Sequence, residues 1–199
     1  MKRLFAVMTA ALAGFLLTSC FVVTKPIDEE QLPLKEDESA VNEIVPDVPE
    51  EPEFETVSLT LYFPDNDALY LHKEERVVEV KKGEFLAPVV LDELFKGPAV
   101  ENHSPCLDGK DLVNSVSVND GVCTVDFKQD FAILNSGGSA RETFVIGSIV
   151  NSLCNLEGID SVKINIGGDD NAAFGGHFTL EAPFSPQTDL ISAGVHDCP

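Results

Sequence analysis

The chain has 199 residues, 44% of them hydrophobic, and a formal charge of −21 from 34 acidic and 13 basic side chains. That length admits one ordinary domain plus a tail. So acidic a balance argues against nucleic acid as a partner and against adhesion to anionic lipid through charge alone.

The first signal is N-terminal. Lys2 and Arg3 precede an apolar stretch over residues 4–17, short for a membrane span, and Leu17-Thr18-Ser19-Cys20 follows. This order resembles a bacterial lipoprotein signal with its lipobox. The resemblance implies cleavage after Ser19, a diacylglyceryl thioether on Cys20 and a further acyl chain, such as palmitate, on the new amine. Two chains suffice for stable anchoring where one is marginal. Beyond this stretch no apolar run reaches the roughly 18 residues of a span.

Residues 20–55 read as the acylated cysteine and an acidic tether. Between residues 26 and 55 lie 12 acidic side chains and a single Lys35, with Pro26, Pro33, Pro46, Pro49 and Pro52 breaking any helix. Such a segment resists collapse and is expected to be disordered. It would hold a domain away from the bilayer by roughly 30 Å as a coil.

The folded domain is expected over residues 56–199. Val57, Leu59 and Leu61 alternate with polar residues as a strand, closed by Phe63-Pro64-Asp65-Asn66-Asp67. A second strand is predicted over 76–80. A helix follows over 84–96, stopped by Gly97-Pro98, with Pro88 tolerated near its first turn. Residues 115–118 and 122–127 flank Asn119-Asp120-Gly121 as a β-hairpin. Apolar residues then recur at three and four from Val145 to Leu156, predicting a helix over 139–156 with Ser139 and Glu142 as a capping box. A strand over 161–166 ends at Gly167-Gly168, and a short one is possible near Phe178. Strands and helices mix without regular alternation, so the class is α+β: a mixed sheet packed with two main helices.

In order along the chain, Leu61-Tyr62-Phe63-Pro64-Asp65, Glu75-Arg76-Val77, Leu94-Phe95-Lys96-Gly97-Pro98, the hairpin 115–127, Ile149-Val150-Asn151-Ser152-Leu153, Val162-Lys163-Ile164 and Gly176-His177 resemble the GerMN domain. That domain occurs in bacterial spore-germination and sporulation lipoproteins. The resemblance covers roughly residues 57–184 and implies a non-enzymatic envelope protein. Cys106, Cys123 and Cys154 depart from the pattern.

With Cys20 assigned to lipid, Cys106, Cys123, Cys154 and Cys198 remain, as two disulfides or as buried thiols. Their spacing matches no zinc site, and no metal or other cofactor is expected. The four histidines are scattered and Ser104 and Ser185 lack a nucleophile elbow, although Cys106 with His177 is an arithmetically possible pair. Asp169, Asp170 and His177 in the glycine-rich stretch 167–177 form the one polar cluster with site character, and the plainer reading is a loop. Asp126 reads as fixing a turn or strand end.

The leading expectation is a scaffold or interaction module, lipid-anchored on the extracytoplasmic side of the bacterial cell membrane, with a protein partner or self-association and no nucleic acid. The alternative is a tethered cell-wall hydrolase. The anchor makes a direct prediction. Cys20→Ala should leave an uncleaved or soluble product, and unchanged membrane retention after a high-salt wash would refute the anchor.

Overall fold

The computed structural model describes residues 52–109, 111–176 and 178–192. Cys20, His177, Cys198 and the acidic stretch up to residue 51 lie outside the described residues.

Strands β1 (Phe54–Pro64) and β2 (Leu71–Lys81) pair antiparallel without a slip, from Phe54↔Lys81 to Pro64↔Leu71. At about 3.4 Å per residue the ribbon is about 35 Å long. Asp65 closes its turn by accepting the N–H groups of Leu69 (2.9 Å) and Tyr70 (3.1 Å). Alternation along β1 buries Leu59, Leu61 and Phe63. β2 starts at Leu71 rather than Arg76, because Glu74 and Arg76 share the register of Val78 and Val80, where period two leads one to expect apolar residues.

Helix α1 (Leu86–Lys96) has Pro88 in its first turn, where an N–H would lack a helical partner anyway. It ends at Gly97, whose N–H bonds to Leu94 O at 3.1 Å. Strands β3 (Val113–Asn119) and β4 (Val122–Phe127) form the expected hairpin. Asp120 and Gly121 both have positive φ, +49° and +79°, as a two-residue type I′ turn requires.

Helices α2 (Asp130–Asn135) and α3 (Ser139–Leu153) then cross over to β5 (Ser161–Ile166). β5 lies parallel to β4, in register from Val122↔Ser161 to Phe127↔Ile166. The result is a mixed sheet of order β3-β4-β5, beside the β1-β2 ribbon and a small β6 (Ala173–Phe174) and β7 (Phe178–Thr179) pair. The class is α+β, as the sequence indicates. The predicted capping box is corrected: Gly138 is the N-cap, no side chain caps the helix, and Ser139 is already helical. Beyond Leu153 the chain tightens into shorter turns, Asn155 N–H to Ser152 O and Leu156 N–H to Leu153 O, so α3 stops before Leu156.

α3 is buried along most of its length. At Gly147 a Cβ would lie 2.9 Å from Leu190 Cδ1 and 3.0 Å from Leu71 Cδ1, so any side chain there would push the ends of both leucines aside. Ser152 Oγ accepts the Tyr62 N–H at 3.0 Å, tying α3 to β1. Phe127, Phe131 and Phe174 stack in series, with centroids 3.9 and 5.7 Å apart. Asn135, fully buried, donates to Asp108 O and Phe131 O and accepts the Asp108 N–H, so its whole amide is satisfied.

Phe131→Ala empties the centre of that stack and should cost about 3–5 kcal/mol. Val77→Ala, on a residue 69% exposed, should stay within about 0.5 kcal/mol. Urea titrations with equal slopes measure both, and equal midpoints for the two variants would contradict the core assignment.

Candidate functional site

A cluster of buried and half-buried charged side chains lies where β2 meets α1. Arg76 Nη1 donates to Glu93 O and Glu93 Oε2, each at 3.1 Å. Its Nη2 donates to Gly97 O at 3.0 Å and Glu74 Oε2 at 3.3 Å. The guanidinium also lies 5.8 Å from the Phe63 ring centroid. Glu74 in turn accepts from the N–H groups of Ala99 (3.0 Å) and Val100 (3.3 Å) and pairs with His103 Nδ1 at 2.7 Å. Lys96 caps the other oxygen of Glu93.

Buried charges persist only when paired and hydrogen-bonded in this way. Burial pushes the Glu74 carboxyl up, but the Ala99 N–H, His103 and the Val100 N–H outweigh it and hold the group below the ordinary range. In Glu93, burial is likewise outweighed by Lys96 and Arg76. The cluster is a clasp that pins residues 94–103 to the ribbon. Composition and spacing gave no sign of it beyond the charges interrupting β2.

His72 and His103 stack at 5.1 Å, and His72 Nε2 lies 3.4 Å from Asp65 Oδ2. Each imidazole thus faces a carboxylate, and among the described residues no hydroxyl or thiol is hydrogen-bonded to either ring. Ser104 Oγ donates instead to Asn66 Oδ1 at 2.6 Å. Cys106, Cys123 and Cys154 are free thiols, the first two buried. Burial raises each to about 11, so all three are protonated at neutral pH, the reverse of an activated nucleophile.

The glycine-rich stretch is held together by its own chain. Asp169 Oδ1 accepts the Asn171 N–H at 2.9 Å, and the backbones of Asp169 and Ile166 bond reciprocally. Lys163 Nζ donates to the carbonyls of Asp170, Leu180 and Glu181. Asp126 fixes the end of the sheet, taking the Gly168 N–H at 2.8 Å and Asn114 Nδ2 at 3.0 Å. Among the described residues no three His, Cys, Asp or Glu side chains are grouped to hold a metal ion.

The sheet edges differ. The outer edge of β5 is occupied: Val162 and Phe184 exchange backbone bonds of 2.9 and 2.8 Å. The outer edge of β3 pairs with no described strand. α1 begins near Val118 and ends near Asp111, with a hollow at each end. One, of about 250 Å³, lies between Phe85-Leu86 and Val118; the other, of about 540 Å³, lies between Asp92, Phe95 or Lys96 and Asp111. Leu86, Val89 and Phe95 of α1 and Val113, Val116 and Val118 of β3 are half-buried apolar residues against the core.

A family model described as Germane, sporulation and spore germination, matches residues 60–172. No curated protein matches the chain. Among solved structures, the tandem GerMN domains of the sporulation protein GerM from Bacillus subtilis align with a TM-score of 0.53 at 21% identity. The alignment covers 69% of this chain and 48% of the tandem, so the chain spans about half its length. The first GerMN domain of that protein aligns with a TM-score of 0.48 at 23% identity, over 65% of this chain and 94% of the domain. A Clostridium perfringens protein designated a candidate lipoprotein gives a TM-score of 0.48 at 19% identity, over 67% and 89% of the two chains. At these identities the likeness is one of fold.

The clasp makes a pH prediction. Glu74 and Glu93 titrate lower in the folded chain than in the unfolded one, so their contribution is complete above the ordinary value of 4.5 and is lost as pH falls through their depressed values. The thermal midpoint should hold from neutrality to about pH 5 and then drop. Glu74→Gln should cost about 3 kcal/mol at neutral pH and flatten that drop. An unchanged acid limb in Glu74→Gln would show that the clasp does not set it.

Proposed function

The chain belongs to the Germane family of sporulation and spore germination, and from that premise we propose that it is a non-enzymatic scaffold held to the extracytoplasmic face of a bacterial membrane by lipid on Cys20. A role in sporulation or germination follows from the family. The scaffold reading goes further, and one contrast carries it. The buried ionisable groups are consumed by structure, while the outer edge of β3 is left without a partner strand.

Catalysis would need a poised group. Instead, the three described thiols are protonated, His72 and His103 face carboxylates, and Glu74 and Glu93 are saturated by donors. An interaction module needs the opposite arrangement: a rigid frame with backbone donors and acceptors left open to another chain. A membrane anchor with an acidic tether suits that task, because it confines the module to the envelope while letting it reach a partner.

The test is complementation of a deletion strain with the full chain. Cys106→Ala combined with His177→Ala removes the Cys–His pair that the sequence offers and should support sporulation as well as the parent. The substitution of a buried thiol should cost only about 1 kcal/mol, leaving the circular dichroism unchanged. Loss of sporulation by the folded double variant would overturn the scaffold in favour of a hydrolase.

A further inference from the structure

The open edge of β3 and the helix beside it describe a particular kind of receptor. Strands at sheet edges are normally defended by charge, proline, a bulge or a covering element. In the β1-β2 ribbon, Lys73, Glu75, Glu79 and Lys81 supply charge. β5 is covered by Phe184. β3 reads Val-Asn-Ser-Val-Ser-Val-Asn, with no charge and no proline, in a chain of net charge −21. Its single irregularity, between Val113 and Ser115, lies at one end and leaves residues 115–119 in regular register with β4.

α1 runs opposite in direction to β3, its start near Val118 and its end near Asp111. A strand added to β3 would run between these two hollows, forming a trough with the flank of α1. Alternate side chains would point toward Leu86, Val89 and Phe95, which are half-buried now. About seven residues would fill its length at about 3.4 Å each. Both ends of the trough are acidic: Glu84 and Glu157 at one, Asp92 and Asp111 at the other. Lys96, which lines the second hollow, is held by Glu93.

Resting on the scaffold reading, we propose that the β3–α1 trough binds an extended segment of a partner protein by strand addition, apolar at alternate positions and basic at its ends. Charge selects this occupant over a second copy, because two copies would bring like charges together at both ends of the paired strands. The backbone of β3 supplies affinity without regard to sequence, α1 selects the apolar side chains, and the terminal carboxylates select the flanking cations.

The probe is a fluorescent heptapeptide, Lys-Val-Thr-Val-Thr-Val-Lys, titrated against the full acidic chain and followed by anisotropy. Replacing both lysines by glutamate should weaken binding by about tenfold or more. N-methylation of alternate peptide amides should abolish it, since this blocks strand pairing and leaves the protein untouched. Asp92→Lys with Asp111→Lys, both exposed and neither making a clasp hydrogen bond, should weaken the parent peptide by about tenfold in a variant whose thermal midpoint is unchanged. No binding, or binding indifferent to N-methylation, would overturn the proposal. So would a concentration-dependent dimer in sedimentation whose formation blocks binding of the parent peptide. Failure here is distinct from failure of the scaffold: a folded Asp92→Lys, Asp111→Lys variant that still supports sporulation removes the trough alone, whereas loss in the Cys106/His177 variant removes the scaffold.

Discussion

The arrangement depends on one half-buried cation. Arg76 reaches from β2 to the end of α1 and satisfies two carboxylates and two carbonyls at once, with its face toward Phe63. Without that guanidinium, Glu93, with a side-chain exposure of 8%, would keep only Lys96, and Glu74, at 4%, would lose one of its four donors. The contact does more than neutralise charge. It sets the C-terminal end of α1 on the ribbon, and through Glu74 it sets the following loop from Gly97 to His103.

Because α1 is fixed at that end, its outer flank becomes one wall of the trough beside β3. α3 supports the same arrangement from beneath. Ser152 and Asn155 hold Tyr62 of β1, and Asn151 exchanges bonds of 2.8 and 3.3 Å with the backbone of Gln187, which brings the C-terminal segment against the helix. The β3-β4-β5 sheet is thus closed on one edge and framed on the other. A rigid sheet with one unpaired edge suits recognition, because a guest strand meets its hydrogen-bonding groups already aligned.

Much of this was legible in the sequence where local signals agree with burial. Asn119-Asp120-Gly121 announced the hairpin because a type I′ turn needs positive φ at two successive positions, and Asp-Gly supplies it. β5 and the body of α3 followed from clean apolar periodicity. The first half of β2 was hidden by Glu74 and Arg76, charges on a core-facing register whose partners lie on α1 and the loop after it. No window of local sequence contains that pairing. The capping box failed for a local reason: Gly138 takes the cap position, so Ser139 enters the helix and its carbonyl accepts the Thr143 hydroxyl at 2.8 Å. The trough was illegible because it exists only once α1 lies along β3. The absence of charge from residues 113–119 was its single visible trace.

The central claim is that the β3 edge of the three-stranded sheet stands open in the free protein while its β5 edge is covered. Site-resolved amide hydrogen exchange of the full chain tests this most directly. The account predicts that alternate amides of residues 115–119, those facing away from β4, exchange at rates near those of loops, while β4 and β5 are protected to the level of global unfolding. Uniform protection across β3 in the isolated chain would show that its edge is already covered, and would contradict the account.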